Sequence, residues 1–152
     1  MTMRYLLDIQ VWVALLDEAH LYHQHALAFI HKGLPIATCP MVENGLLRVF
    51  NLPGYSKLGP QGFERVIEKY RIVCKASDHE FWMDSVSLCQ PQTIHWAGVS
   101  GQQQITDVYL LALAVSRQGC LVTMDQRLTA DAVQGATSSN LLHLQQGSDL
   151  LG

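Results

Sequence analysis

Long apolar runs are missing from this chain. The longest, Val11 to Leu16 and Val108 to Val115, fall far short of the roughly 20 residues a bilayer-spanning helix needs, so no membrane association is expected. Met1-Thr2-Met3-Arg4 leads straight into a strand-like segment, with no signal-peptide layout. Paired cysteine spacing is missing too. Cys39, Cys74, Cys89 and Cys120 show no C-x-x-C pattern, which argues against a zinc site and against a secreted disulfide framework. A reduced, cytoplasmic setting is the simplest expectation. No H-E-x-x-H pattern exists, so His20, His23 and His25 read as a solvated helix start rather than as ligands. Gly59-Pro60-Gln61-Gly62 is not followed by Gly-Lys-Ser/Thr and makes no phosphate loop. Repeats, low-complexity tracts and linkers are absent as well. The 152 residues are therefore read as a single domain, 1–152, large enough to bury its own core.

What is present is an alternation of short apolar runs with helical patterns. Arg4 to Asp8 reads as a fully apolar strand of the kind found inside parallel sheets. Helices are expected over Val11 to Glu18 and Tyr22 to Lys32, with Gly33 as a C-cap and Pro35 beyond it. Ile36 to Cys39 is a second strand, and Met41 to Phe50 a helix broken by Asn51-Leu52-Pro53-Gly54. Gly59-Pro60 opens a helix to Tyr70 with Phe63, Val66, Ile67 and Tyr70 on one face. Residues 72 to 78 read as a weak strand or connector, Phe81 to Leu88 as a helix, and Pro91 to Gln104 as loop. Thr106 is placed as the N-cap of a helix reaching Gln118 before Gly119. Strands follow at Leu121 to Met124 and Asn140 to Leu144. Strands alternating with helices point to a three-layer α/β/α sandwich around a short, mainly parallel sheet.

Four acids stand where a folding domain gains little from a carboxylate. Asp8 closes Tyr5-Leu6-Leu7, and Glu43 lies inside Pro40-Met41-Val42-Glu43-Asn44-Gly45-Leu46-Leu47. Asp107 opens Val108 to Val115, and Asp125 ends Leu121-Val122-Thr123-Met124. Buried carboxylates are costly unless paired or bound to a cation. Sites in open α/β sheets form beyond the carboxyl ends of the strands, so the four acids are expected to share one oxygen-rich pocket for a hard divalent metal. Each also has a plain structural use. Asp107 complements a helix dipole, Asp8 or Asp125 caps a turn, and Glu43 pairs with an arginine.

The net charge of −3 does not announce a nucleic-acid binder, but its distribution is uneven. Arg48, Lys57, Arg65, Lys69, Arg71 and Lys75 stand against only Glu64 and Glu68 between residues 48 and 75. Such a wall could hold a phosphate backbone beside the acids; a solvated helix face explains it equally well. Trp12, Trp82 and Trp96 could stack on bases, although core packing is the commoner use of tryptophan.

Read together, these segments resemble a PIN domain. They are Leu6-Leu7-Asp8, Glu43 in Cys39 to Val49, Thr106-Asp107-Val108-Tyr109-Leu110-Leu111-Ala112-Leu113-Ala114, and Leu121-Val122-Thr123-Met124-Asp125. The layout is most similar to VapC-type toxins of bacterial toxin–antitoxin pairs, and it covers nearly the whole chain in order and spacing. The resemblance implies a metal-dependent endoribonuclease, with Asp8, Glu43, Asp107 and Asp125 holding Mg2+ or Mn2+ and an RNA substrate. It also implies a homodimer silenced by a small cognate antitoxin protein. Gln10 and Thr106 are candidates to orient a water or carboxylate beside the metal. Two positions depart from the family pattern. Gln10 stands where Asn or another small polar residue is common, and Asp125-Gln126-Arg127 replaces the frequent Asp-Arg.

Two other functions stay open at this point. An aspartyl-phosphate phosphatase would need a second Asp two residues after Asp8, where Gln10 stands; a receiver-like phosphoacceptor would need a late lysine, and none follows Lys75. A non-catalytic binding module that keeps the PIN fold is the second.

Overall fold

Five short strands lie side by side in the order β3-β2-β1-β4-β5: β1 (Tyr5–Leu7), β2 (Ile36–Thr38), β3 (His79–Phe81), β4 (Cys120–Thr123) and β5 (Leu141–His143). Every pairing among them is parallel. The structure is a computed structural model and describes residues 2–56 and 61–144. All four residues of β4 and all three of β2 are buried, as strands covered on both faces must be. Helices α1 (Ile9–Leu16), α2 (His23–Ile30), α3 (Pro40–Phe50) and α4 (Phe63–Lys75) pack on one another. A fifth, α5 (Ile105–Ser116), packs against β1 and β4 as a separate layer. The expected α/β sandwich is the observed one.

The core explains the element choices. Leu6 and Leu7 of β1, Trp12 of α1, Leu46 of α3 and the run Val108 to Ala114 of α5 are all buried. Trp82 is also buried, with the Arg117 guanidinium over its ring at 5.8 Å, and Trp12 packs on Tyr70 at 4.9 Å between ring centroids. Those two tryptophans are core residues. Trp96 is half exposed. Gly119 ends the turn between α5 and β4, where an added Cβ would stand 2.8 Å from the Arg4 carbonyl and from the Trp82 ring. A larger residue there would push β4 off β1.

Four sequence expectations need correction. Phe81 to Leu88 is no helix: Phe81 pairs with Thr38 in β3, and the Trp82 N–H donates to the Thr38 carbonyl at 2.7 Å. The edge of β2 takes the segment that its apolar spacing suggested for a helix, a case of tertiary pairing overriding local pattern. Residues 72 to 75 are the end of α4, because Tyr70, Val73 and Cys74 continue its inward face past Val66. That helix begins at Phe63, and the expected start at Gly59-Pro60 lies outside the described residues, as does Lys57 of the basic wall. Thr106 does not cap α5. A 3-10 turn over Gln102–Gln104 runs directly into the helix, so the N-cap position falls to Gln104. Gln104 is buried and accepts the Ser100 N–H at 2.9 Å.

Candidate active site

The strand order puts the chain's reversal between β1 and β4. From β1 the sheet grows one way through β2 and β3, and the other way through β4 and β5. Loops leaving the carboxyl ends of two such strands diverge and open a crevice. Asp8 follows β1 directly, and Asp125 lies just beyond the end of β4. Asp107 reaches the same edge by another route. The turn from α5 into β4 is tight, so α5 runs back along the sheet and its first turn, which carries Asp107, lies at the carboxyl edge.

Asp8 is held from three sides. Its N–H donates to the Val122 carbonyl at 2.9 Å, extending the β1–β4 ladder by one residue. Its Oδ1 accepts the Val11 N–H at 2.8 Å, making it the N-cap of α1. The Thr123 hydroxyl lies against the same carboxylate. Asp8 is nevertheless only 1% exposed. Burial pushes its carboxyl up to about 6 against the pull of those hydrogen bonds, and the Asp125 charge adds to the rise. Asp107 is pushed up to about 7, by burial first and then by the charges of Asp8 and Asp125. The three aspartates thus form one electrostatic unit.

Asp125 stands at the open side. Its N–H donates to the Thr123 hydroxyl at 3.1 Å, and its Oδ1 accepts from the Arg127 N–H at 3.0 Å and from Nε of the Arg127 guanidinium at 3.3 Å. The residue inserted between Asp125 and Arg127, Gln126, is exposed. The shifted arginine still reaches the aspartate.

Glu43 is placed differently. It stands in the first turn of α3, as its spacing suggested, but its Oε2 accepts the Tyr70 hydroxyl of α4 at 2.7 Å. Around that bond lie the Thr38 hydroxyl, Cys74 and His79, and the Thr38 oxygen is 2.6 Å from His79 Nε2. Burial raises the Tyr70 phenol, and the neighbouring Glu43 raises it further. Asp8, Asp107 and Asp125 therefore lie at one edge of the sheet, near enough to feel one another's charge, while Glu43 is tied to α4. Gln10 is exposed on α1, and Thr106 lies within the first turn of α5 rather than before it.

Among the described residues no three His, Cys, Asp or Glu side chains are gathered tightly enough to hold an ion as they stand. The chemistry of Asp8, Asp107 and Asp125 still suits a hard divalent ion: the donors are carboxylate oxygens, and neither thiol nor imidazole shifts Asp8 or Asp107. Sequence reasoning missed Thr123 and Tyr70 as contributors. Thr123 is signalled only by being a hydroxyl residue in a buried strand, two positions before Asp125. Nothing in the sequence marks Tyr70 as the partner of Glu43.

No protein-family model matches the chain. Curated relatives do. Ribonuclease VapC44 of Mycobacterium tuberculosis is 38% identical over 144 residues, covering 93% of this chain and 100% of that protein. Ribonuclease VapC29 of the same organism is 35% identical over 127 residues, covering 83% and 89%. Ribonuclease VapC38 is 34% identical over 124 residues, covering 79% and 84%.

Proposed function

This chain belongs to the VapC ribonuclease family, and we propose that it is the RNA-cleaving toxin of a toxin–antitoxin pair, hydrolysing phosphodiester bonds with a divalent metal, Mg2+ or Mn2+. The observation that carries this reading is the placement of Asp8 directly after β1, Asp125 just beyond β4 and Asp107 in the first turn of α5, at the strand switch point. That arrangement is costly for a metal-free protein and is what a cation would relieve.

The residues divide the work. Asp8, Asp107 and Asp125 hold the ion, with Glu43 as a fourth carboxylate within the same region. When bound, such an ion activates water, polarises the scissile phosphate and offsets charge in an in-line displacement. Thr123 orients Asp8 through its hydroxyl. Arg127, on the open side of Asp125, is placed to meet a phosphate oxygen. Arg65, Arg71 and Lys75 on α4 supply cationic surface for the RNA backbone.

Partners follow from the same reading. A small cognate antitoxin blocks the acidic centre with a basic side chain while its apolar segment covers α3 and α4. A homodimer buries apolar surface that the monomer leaves open, including Phe63 and Ile72 of α4, each more than half exposed. No helix among the described residues is long and apolar enough to cross a membrane.

The test is purified protein incubated with total RNA in Mg2+, Mn2+ or EDTA. Cleavage is expected with either ion and not with chelator. Equal cleavage in EDTA would end the metal-dependent reading, and no cleavage under any condition would favour a binding module.

A further inference from the structure

Resting on that reading, we propose that Tyr70 is a positioning residue that keeps Glu43 docked on α4, so the site rests with three aspartates and takes up its fourth carboxylate only when a cation enters. The Tyr70 hydroxyl donates to Glu43 Oε2 at 2.7 Å. Tyr70 itself is anchored: its ring packs on the buried Trp12 ring at 4.9 Å, and its oxygen also meets the Thr38 hydroxyl. The dock is therefore rigid, while Glu43, half-buried in a first helical turn, is the movable half of the pair.

The fold keeps Glu43 within range of the aspartates. Leu6 is level with Ala37 across the β1–β2 pair, so Asp8 is level with Cys39, the N-cap of α3. Neighbouring strands lie about 4.8 Å apart. Glu43 is one turn along from that cap. Gly45, two residues further, approaches α1 so closely that an added Cβ would collide with the Ile9 side chain, and Ile9 follows Asp8. The helix N-terminus is thus fixed beside the site, with one oxygen of the glutamate held by Tyr70.

Docking occupies one Glu43 oxygen with the Tyr70 hydroxyl. It also weakens metal binding, because a ligand that is free for only a fraction of the time lowers apparent affinity by that fraction. Removing the Tyr70 hydroxyl should relieve that penalty.

Mn2+ titrated calorimetrically into metal-free protein tests this with wild type, Tyr70→Phe, Glu43→Gln and the double variant. Tyr70→Phe is expected to tighten Mn2+ binding by about three- to tenfold. Glu43→Gln should weaken it, and adding Tyr70→Phe to Glu43→Gln should change nothing further. A purely structural tyrosine would lower thermal stability without tightening metal binding, so unchanged or weaker affinity in Tyr70→Phe overturns the proposal. If that variant does not fold, wild type labelled with 3-fluorotyrosine gives the answer. One fluorine signal should move on addition of Mg2+ in wild type and stay still in Glu43→Gln; no moving signal overturns the proposal. Asp8→Asn separates the two levels. Loss of Mn2+ binding in Asp8→Asn with no gain in Tyr70→Phe removes this inference alone. Wild-type binding in Asp8→Asn removes the metal reading and this inference with it.

Discussion

The Thr123 hydroxyl lies against the Asp8 carboxylate across the β1–β4 pair. The same oxygen accepts the Asp125 N–H at 3.1 Å. One buried side chain from the middle of the sheet thus sets the orientation of two of the three aspartates. Thr123→Val keeps the volume and the β-branched shape but leaves both neighbours short of a partner. A loss of about 1–3 kcal/mol in stability is expected, with cleavage reduced by roughly tenfold or more because a carboxylate is misplaced. Thermal unfolding and a fluorescent RNA cleavage assay measure the two effects.

Asp8→Asn should separate fold from chemistry. Asparagine caps a helix as well as aspartate does, so the bond to the Val11 N–H, 2.8 Å in the wild type, is expected to survive. The buried charge goes, and with it an oxygen donor for the ion. Far-UV circular dichroism should be unchanged, the metal-free protein at least as stable as wild type, and metal-dependent cleavage lost. Asp8→Ala, which also removes the cap, should cost about 1 kcal/mol more. Cleavage at the wild-type rate by Asp8→Asn would show that Asp8 holds no essential metal.

The raised carboxyls give the metal-free protein an unusual dependence on pH. Asp8 and Asp107 sit at about 6 and about 7 in the folded state, against 3.8 for the ordinary side chain. Between those values the folded chain holds protons that the unfolded chain has released. Stability therefore falls as pH rises through that window and is fullest below it, the reverse of a salt-bridged carboxylate. In EDTA the melting temperature should drop between about pH 4 and about pH 7, with Mg2+ restoring it at the higher pH by mass action. A flat profile in EDTA would mean the two acids are not strained.

The basic face of α4 is testable through salt. Arg71→Ala and Lys75→Ala, both in the last turns of that helix, should weaken RNA binding without changing sequence preference. Each phosphate deprived of its cationic partner lowers the slope of log affinity against log salt by about 0.7 for single strands. Filter binding of a catalytically silent Asp8→Asn background at several salt concentrations measures it. An unchanged slope would place the RNA path elsewhere.

The strands flanking the site were legible because they are short, apolar and end in a carboxylate, a combination that burial makes costly and therefore informative. The placement of Asp8 and Asp125 at strand ends, and of Glu43 and Asp107 in first helical turns, could be read in this way. The orientation of Glu43 could not, since helical spacing places a residue in a turn but does not say which neighbour its flexible side chain will choose. Residues 81 to 88 misled for a related reason: their apolar spacing suits a helix, and only the unpaired edge of β2 decides for a strand at His79–Phe81. Thr106 was a sound cap by residue type, displaced by a 3-10 turn that no local signal announces.

The central place of β1 in the sheet has a consequence for synthesis. Tyr5 pairs with Ile36 early in the chain but with Cys120 only late, and domains emerge from the ribosome N-terminus first. Until β4 is made, the first aspartate has a strand on one side and water on the other. Its two companions, Asp107 and Asp125, come from the last third of the chain. A nascent chain that still lacks its last third therefore holds only one of the three aspartates that this edge of the sheet carries.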